Sequence, residues 1–354
     1  MKNSLEYLFV EGSNFEMGYQ IGEGRRDSLN RVIERYRRLF QHNMVDWDKL
    51  KAESLTYQAY TREALPQYWE EMEGMAQGAG VDIIDIFLLN SAQEVLEERK
   101  LGCTSLALNQ LATADNSVLL AHNEDWLPSD TEEVYVLHAK PDNAPEYLCL
   151  TYVGFVHQGF NSAGIGSVGN AVSPRDIRPG IPRIFAYRDI LSKTSLAEAM
   201  KAAIPRSRAA GNNHLVGNDS GEIYDLEVSA TKYDTFYGED GMLLHTNHYL
   251  SPKLQQVEEE GPYFDSILRY NRLRRLLTER MGRITVDDLK EILADHANSP
   301  NSICSHTEKI EEEKFQYSTI ASVIIDLTHR TMYACKGAPC KGEFGEFRLG
   351  DGKA

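Results

Sequence analysis

The stretch Gly102-Cys103-Thr104-Ser105 marks the point at which the chain changes from one kind of structure to another. Before it, apolar residues recur at three- and four-residue spacing, which is typical of helices. After it, apolar and polar residues alternate in short segments bounded by turn residues, which is typical of β-hairpins. The sequence therefore predicts a mainly helical segment over residues 1–102 and a sheet-rich region over residues 103–354, folded together as one domain.

A cysteine that follows a glycine at such a junction has a specific chemical use. The thiol of Cys103 can attack the carbonyl carbon of Gly102, and hydrolysis of the resulting thioester would split the chain at this cleavage site. Cys103 would then carry both a nucleophile and a base, because an α-amino group has an unperturbed pKa of about 7.7–8.0. A single cysteine is more often a small buried apolar side chain, so this interpretation depends on the other motifs.

Composition narrows the possible partners and compartments. The 354 residues carry a formal net charge of −16, which argues against nucleic acids and anionic membranes as partners. The start of the chain has no apolar segment long enough for a signal peptide, and no run approaches the roughly 18 apolar residues of a membrane span. The five cysteines are scattered and odd in number, so we expect a reducing, cytoplasmic environment. Cys335 and Cys340 lack a second pair that would complete a zinc site, and we interpret them as structural.

The order of the predicted elements indicates the fold class. Helices are grouped at the start and in later blocks, whereas strands are joined mostly by short turns. This is an α+β pattern with helix layers outside packed sheets, and it differs from the steady alternation of a doubly wound fold. The predicted helices cover 15–43, 46–78 with an interruption near Pro66, a segment from Asp82 or Asp85 to about Arg99, 182–191, 196–204, 263–281 and 285–296. The predicted strands cover 4–11, 104–110, 117–124, 133–140, 146–153, 165–172, 213–217, 222–229, 231–237, 242–246, 319–326 and 330–335.

The motif His122-Asn123-Glu124-Asp125-Trp126 ends the second predicted strand after Cys103. A hairpin would fold this strand back beside the cysteine, so Asp125 can reach the same site. A carboxylate there would hydrogen-bond the freed α-amino group and hold it in place. Alternatively, Asp125 only caps the turn that leads to Pro128.

Three further polar motifs follow along the chain. Residues 159–164 form a glycine-bounded turn before Asn170, whose amide at a strand end could bind a substrate carbonyl or only stabilise a turn. In His245-Thr246-Asn247-His248 the two histidines would point to opposite faces of a strand, and no acidic third ligand is evident, so we expect no metal there. Asn247 is better suited to donate a hydrogen bond to a tetrahedral oxyanion. Residues 298–306 are polar and predict a loop at a pocket rim.

Together these residues resemble the acyl-CoA:6-aminopenicillanic acid acyltransferase family of self-cleaving N-terminal-nucleophile (Ntn) hydrolases. The resemblance covers nearly the whole chain and implies a four-layer αββα sandwich. It also implies roles for Cys103 as the nucleophile, Asp125 as the group that orients the amine, and Asn247 as the oxyanion donor. The motifs that carry it are Phe15-Glu16-Met17-Gly18-Tyr19 with Gly22, Gly102-Cys103-Thr104, Asn123 with Asp125, Gly159–Gly164, His245–His248 and Ser302-Ile303-Cys304.

The resemblance further implies a small-molecule N-acyl amide as the substrate, with an acyl-CoA as a possible donor. No metal or other cofactor is expected, and the fragments 1–102 and 103–354 should stay associated after cleavage. Other polar residues of the same motifs are expected to contact the substrate: His122, Asn123, Asn170, His245, Ser302, Ser305 and His306.

The chain departs from the family pattern at two arginines. The family acyltransferase has an arginine directly after its Ser-Ile-Cys, where this chain has Ser305. The related bile-salt amidases have an arginine before Asn-x-Asp, where this chain has His122. Either His122 or His306 could replace them. The tripeptide at 123–125 resembles a branch of the family that hydrolyses β-alanyl conjugates of amines.

Two other functions remain open from the sequence. A papain-like cysteine hydrolase without self-cleavage would also use Cys103, but the papain signature is missing and Cys103 precedes strands rather than opening a helix. A non-catalytic, ligand-binding member of the same fold is favoured by the two missing arginines. The presence of Cys103, Asp125 and Asn247 argues against it.

Overall fold

In a computed structural model, the protein consists of two β-sheets packed face to face, with helices on both outer sides. The α+β class and the four-layer αββα sandwich expected from the sequence are therefore confirmed. Among the described residues, no helix is both long and apolar enough to cross a membrane. The structure describes residues 5–91, 94, 102–152, 154–307 and 316–350.

The first sheet has eight strands in the order β1-β4-β5-β6-β7-β8-β9-β10. Strand β1 pairs with β4 in parallel, and the other neighbours pair antiparallel. Its strands are β1 (Glu6–Gly12), β4 (Tyr135–Pro141), β5 (Tyr147–Thr151), β6 (Gln158–Asn161), β7 (Ile165–Asn170), β8 (Asn212–Asn218), β9 (Ile223–Val228) and β10 (Tyr233–Tyr237).

The second sheet has six antiparallel strands in the order β11-β2-β3-β12-β13-β14. Strand β2 begins directly after Cys103, so this residue stands at the start of the β2–β3 hairpin. Its strands are β2 (Thr104–Leu108), β3 (Leu119–Trp126), β11 (Met242–His245), β12 (Ser318–Asp326), β13 (Thr331–Lys336) and β14 (Gly345–Arg348).

The helices form two outer layers. The layer on the first sheet contains α1 (Asn14–Gly24), α2 (Arg26–His42), α3 (Trp47–Ala64), α4 (Pro66–Ala79), α5 (Ile83–Leu89), α6 (Ile184–Ile190) and α7 (Leu196–Ala202). After the short helix α8 (Pro252–Gln255), the layer on the second sheet contains α9 (Phe264–Thr278) and α10 (Val286–Leu293).

The second sheet is buried on both faces, and strand alternation decides which side chains go where. Ala107 and Leu120 belong to the core shared with the first sheet. Their chain neighbours Leu106 and Ala121 belong to a separate core with Leu273 of α9 and other helix residues. Because successive side chains point to opposite faces of a strand, this assignment also fixes the directions of the β2 and β3 side chains near Cys103.

The predicted helix over 15–43 is wrong as a single element. The chain breaks it at Arg25, which has φ −112° and ψ 18°. The buried guanidinium of Arg25 bonds Glu6 and, at 3.1 Å, the carbonyl oxygen of Glu133. The helical periodicity on which the prediction was based does not reveal this tertiary contact.

The other predicted elements agree with the structure to within a few residues. The helix predicted after Asp82 does begin there, because the Asp82 carboxylate accepts a hydrogen bond from the Ile84 amide at 3.0 Å. Most of its predicted continuation to Arg99 lies outside the described residues. The sequence analysis missed the short elements β6, β14 and α8.

Helices α1 and α4 pack with their backbones in direct contact. A Cβ added at Gly18 would lie 1.8 Å from the carbonyl oxygen of Glu71, and one added at Gly22 would lie 2.1 Å from that of Met75. Only glycine leaves room for such an approach. The glycines of the Phe15–Gly22 motif therefore serve the helix packing that supports the first sheet.

We predict that Gly22→Ala lowers the free energy of unfolding by about 1–3 kcal/mol, because the methyl group would overlap main-chain atoms of α4. The loss should occur although alanine favours an isolated helix over glycine by about 1 kcal/mol. Urea unfolding followed by circular dichroism measures it. Gly24→Ala is the control in the same helix, since its Cβ would meet only the flexible Leu8 side chain, at 3.2 Å. Unchanged stability of Gly22→Ala would contradict the close packing.

Candidate active site

The pairing of β2 with β3 places Cys103. Thr104 lies opposite Asn123, and Ser105 lies opposite His122. The Cys103 side chain consequently faces the space between the two sheets and is only 5% exposed. Its Sγ lies 3.7 Å from the main-chain oxygen of Asp125 and donates a weak hydrogen bond to it.

The Asp125 carboxyl group lies directly against the Gly102–Cys103 junction. A Cβ at Gly102 would come within 2.7 Å of Asp125 Oδ2, so glycine is required for this contact. Thr319 donates a hydrogen bond of 2.6 Å to Asp125 Oδ1. Burial raises the pKa of Asp125 to about 7, although the positive charge of Arg269 opposes the rise. The carboxyl group can therefore change its protonation state near neutral pH.

A buried guanidinium holds the main chain of the nucleophile. Arg269 of α9 is 2% exposed and donates to the carbonyl oxygen of Cys103 at 2.5 Å and to Thr104 Oγ1 at 3.1 Å. Its other nitrogen donates to Asn247 Oδ1 at 2.8 Å. Sequence analysis missed Arg269, since it lies on a helix far along the chain and in no recognised motif. It supplies a cation at the site although Ser305 and His122 replace the family arginines.

Asn247 reaches the pocket wall from the loop after β11. Its Nδ2 donates to the carbonyl oxygen of Ala171 at 2.9 Å, and Ala171 lines the pocket beside Cys103. Its main-chain N–H donates to Ser266 Oγ at 2.8 Å. These contacts leave one of the two amide hydrogens of Asn247 for another acceptor.

A small pocket opens beside the Cys103 side chain and holds about 80 Å³ of free volume. Both sheets contribute to it, together with helices α2, α5 and α6 of the layer on the first sheet, and its walls are aromatic with a few charged groups. Its lining residues are Tyr36, Leu89, Asn90, Ser91, Glu94, Cys103, Glu124, Trp126, Tyr152, His157, Gln158, Gly169, Ala171, Arg183, Ile184, Tyr187 and Asn212.

Glu124 is the carboxylate residue of this pocket that lies on the same strand face as Cys103, whereas Glu94, the other one in the lining, pairs with Arg183. Its Oε2 lies 2.9 Å from His122 Nε2, and its Oε1 accepts a hydrogen bond of 3.2 Å from the Tyr152 hydroxyl. Burial opposes its ionisation, but the contacts with His122 and the charge of His157 lower the pKa of Glu124 to about 2. Burial, and then the charges of Glu124 and Asp125, raises the pKa of the Cys103 thiol well above its ordinary value. In this structure the raised pKa favours the neutral thiol of Cys103.

The predicted substrate-binding residues on β3 and β7 lie beside the pocket without lining it. Asn123 points to the helix side of the sheet, where its Nδ2 donates to the carbonyl oxygens of Leu293 and Ile303, each at 2.9 Å. His122 contacts Glu124 but does not line the pocket. The Oδ1 of Asn170 accepts a hydrogen bond of 3.0 Å from Ser105. Asn123 lies on the opposite face from the pocket because it alternates along the strand with Glu124, the residue that faces the pocket.

His245 also lies away from the pocket. It is fully buried, with Nε2 2.8 Å from Glu227 Oε1. Burial lowers the pKa of His245, but the charges of Asp225 and Glu227 outweigh this and raise it above the usual value. His248 contacts a different partner, Ser266 Oγ, at 2.7 Å. The two histidines diverge as expected.

The predicted loop residues likewise make other contacts. The Ser302 hydroxyl donates to the carbonyl oxygen of Cys304 at 2.7 Å, and the Ser305 N–H donates to Thr319 Oγ1 at 2.9 Å. The Nε2 of His306 lies 3.5 Å from Cys304 Sγ and 3.3 Å from Cys340 Sγ. Ser302, Ser305 and His306 therefore do not line the pocket, and the His306 ring lies against Cys304 and Cys340.

The alternation of side chains along β3 could have identified Glu124 as a pocket residue from the sequence. Counting by two along β3 from the apolar Leu120 places His122 and Glu124 on the face that Cys103 shares. The remaining pocket residues come from helices and from the first sheet, so their proximity to Cys103 depends on tertiary packing.

Comparisons with known proteins identify the family. A sequence profile described as "Acyl-coenzyme A:6-aminopenicillanic acid acyl-transferase" matches residues 112–341, more than half of the chain. The Emericella nidulans protein named "Acyl-coenzyme A:6-aminopenicillanic-acid-acyltransferase 40 kDa form" is 27% identical over 94% of this chain and 93% of its own. The Drosophila melanogaster "Beta-alanyl-dopamine/carcinine hydrolase" is 24% identical over 97% of this chain and 95% of its own.

A solved structure of penicillin V acylase from Agrobacterium tumefaciens aligns with a TM-score of 0.48 at 13% identity, covering 70% of this chain and 87% of the other. The profile match contains Asp125, Asn247 and Arg269, and it begins a few residues after Cys103. The chain belongs to the acyl-coenzyme A:6-aminopenicillanic acid acyl-transferase family.

Proposed function

We propose that this protein is a self-cleaving cysteine amidohydrolase or N-acyltransferase that acts on a small N-acyl amide through a thioester on Cys103. One observation carries the proposal: the Cys103 thiol faces a pocket while Asp125 packs on the peptide bond that precedes it. A carboxyl group in contact with the residue before the cysteine can take part in cleavage of the peptide bond between the two residues. A papain-like hydrolase or a ligand-binding protein would not need it.

The cleavage step can be written with its protons balanced. The ionised carboxylate of Asp125 takes the proton of the Cys103 thiol, and the sulfur attacks the carbonyl carbon of Gly102. The C–N bond then breaks, the proton passes to the nitrogen of Cys103, and a thioester joins the two segments. Water hydrolyses the thioester, which leaves a carboxylate on Gly102 and a free thiol and amine on Cys103.

Turnover would use the same atoms. The freed α-amine accepts the thiol proton, since its ordinary pKa of about 7.7–8.0 suits a base near neutral pH. The sulfur attacks the substrate carbonyl, and the free N–H of Asn247 donates to the oxyanion. The amine leaves with the proton, and water or an acceptor amine then cleaves the acyl thioester. Arg269 keeps the main chain of Cys103 in place throughout.

The pocket supports a small acyl group. Its free volume of about 80 Å³ is below the roughly 300–1,000 Å³ of sites for drug-sized ligands. Glu124 is ionised at neutral pH, which favours an acyl group that carries an ammonium, as a β-alanyl group does. The name of the Drosophila relative points the same way, and that of the Emericella relative keeps an acyl-CoA donor open.

We predict that the purified protein cleaves itself between Gly102 and Cys103. Intact-mass spectrometry should find fragments 1–102 and 103–354, which co-elute on gel filtration because both contribute to the buried core. Cys103→Ala removes the sulfur but little packing, and it should remain one folded chain. Full-length protein with amidase activity would support a papain-like hydrolase instead.

We predict that the rate of self-cleavage rises with pH and levels off above about pH 7. The pKa of Asp125 is raised to about 7, so the carboxyl group is protonated and cannot act as a base at lower pH. Below that point the rate should fall about tenfold per pH unit. The measurement starts from refolded precursor, and Asp125→Asn should abolish the plateau. A rate that keeps rising tenfold per unit beyond pH 8 would assign the dependence to the thiol.

We predict that Asn247→Ala lowers kcat for hydrolysis of small N-acyl amides by about 10²–10³, with a smaller effect on KM. A donor to the oxyanion matters most as negative charge develops on the oxygen. The panel should contain β-alanyl and neutral acyl amides, each assayed by release of the amine. Asn271→Ala is the matched control, since Asn271 is an exposed residue of α9. An effect confined to KM would make Asn247 a binding residue, and absent turnover of every amide would support a ligand-binding protein.

A further inference from the structure

A second group of reactive side chains lies apart from the pocket. It comprises His296, Cys304, His306 and Cys340, and their ligating atoms all lie within 4.8 Å of one another. The Nε2 atoms of the two histidines are 3.0 Å apart. The Nε2 of His306 lies 3.5 Å from the sulfur of Cys304 and 3.3 Å from that of Cys340. This group is called the Cys–His cluster below.

These distances are close to the edges of a tetrahedral zinc site. With Zn–S bonds of about 2.3 Å and Zn–N bonds of about 2.0–2.1 Å, tetrahedral ligands stand about 3.3 Å apart for two nitrogens and about 3.6 Å apart for nitrogen and sulfur. Each distance measured from His306 lies within a few tenths of an ångström of these values.

We propose that the Cys–His cluster binds one Zn²⁺ ion. Two thiolates and two imidazoles are a donor set that zinc prefers, and four protein ligands leave no open position for water or substrate. The site would therefore be structural and separate from the chemistry at Cys103. Binding deprotonates Cys304 and Cys340 and releases two protons. His296 and Cys340 are exposed, so an ion can reach the cluster from solvent.

The cluster has no signature of closely spaced cysteine pairs in the sequence, so it could not be recognised from the chain alone. The ligands come from three segments instead: His296 follows α10, Cys304 and His306 lie on the loop before β12, and Cys340 follows β13. Folding brings the three segments together, and zinc would cross-link them. Cys335, the close chain neighbour of Cys340, is not part of the cluster.

The cluster has a direct connection to the active site. Ser305 stands between two proposed ligands, and its N–H donates to Thr319 Oγ1 at 2.9 Å. The N–H of Thr319 donates back to the carbonyl oxygen of Ser305 at 3.0 Å. The hydroxyl of Thr319 in turn donates to Asp125 at 2.6 Å. Zinc would thus fix the loop that positions the carboxyl group of Asp125.

The test measures metal binding and stability in a Cys103→Ala background. This background prevents self-cleavage and removes the other grouping of possible ligands, namely Cys103, His122 and Glu124. Metal-free, reduced protein is mixed with excess zinc, desalted and analysed by mass spectrometry of the metal. We expect about one zinc per chain, a higher melting temperature than without zinc, and, with cobalt, the absorption band of a thiolate ligand.

Variants at the exposed ligands identify the site. Cys340→Ser and His296→Ala should fold, lose most of the bound zinc and lose the zinc-dependent rise in melting temperature. His329→Ala is the matched control, because His329 is a histidine outside the cluster, and it should bind zinc as before. Zinc content far below one per chain would overturn the proposal, as would undiminished binding by both ligand variants. A disulfide between Cys304 and Cys340 in protein prepared without oxidant would also overturn it. None of these readouts depends on amidase activity.

Discussion

The antiparallel register of β2 and β3 is the constraint on which the site depends. With Thr104 opposite Asn123, Cys103 and Glu124 share the face toward the first sheet, and Asp125 reaches the junction at Gly102 from the other side. A slip of one residue would exchange these faces and separate the thiol from its pocket. The second neighbour of β3 supports the same arrangement, because β12 is irregular between Thr319 and Ala321 and thereby aligns Thr319 with Asp125.

Burial sets the electrostatic state of the Cys103 thiol. Two carboxyl groups, Glu124 and Asp125, lie near the Cys103 thiol, and both raise its pKa in addition to the effect of burial. Arg269 is the opposing charge, and it bonds the main chain of Cys103 rather than the sulfur. The uncleaved chain therefore keeps the thiol protonated and weakly reactive. In the proposed mechanism, cleavage creates an amine next to the sulfur, and this amine can accept the thiol proton. The thiol would therefore become reactive only after folding has positioned the groups.

The features that could be predicted from the sequence are those that local chemistry and periodicity determine. The change of period at Cys103 located the start of the second sheet, and the hairpin after it correctly brought Asp125 to the junction. Arg269 could not be predicted in this way, because only the packing of α9 on the sheet brings it to Cys103. The expectation for Asn123 rested on its place in a motif, whereas strand alternation directs its side chain toward the helix layer.

The two faces of the second sheet have different tasks, and this explains why support for the nucleophile comes from the outer helix layer. The face toward the first sheet must leave space for a substrate beside Cys103. Arg269 and Thr319 therefore reach the main chain of Cys103 and the carboxyl group of Asp125 from the opposite face. Two members of the Cys–His cluster, Cys304 and His306, flank Ser305, whose N–H donates to Thr319 on that supporting side. In the proposed arrangement, zinc bound at the cluster would make the loop that contains Ser305 more rigid and would restrict the Asp125 carboxyl group without narrowing the pocket. The stability of the outer layer and the proposed reactivity of Cys103 would then be physically connected.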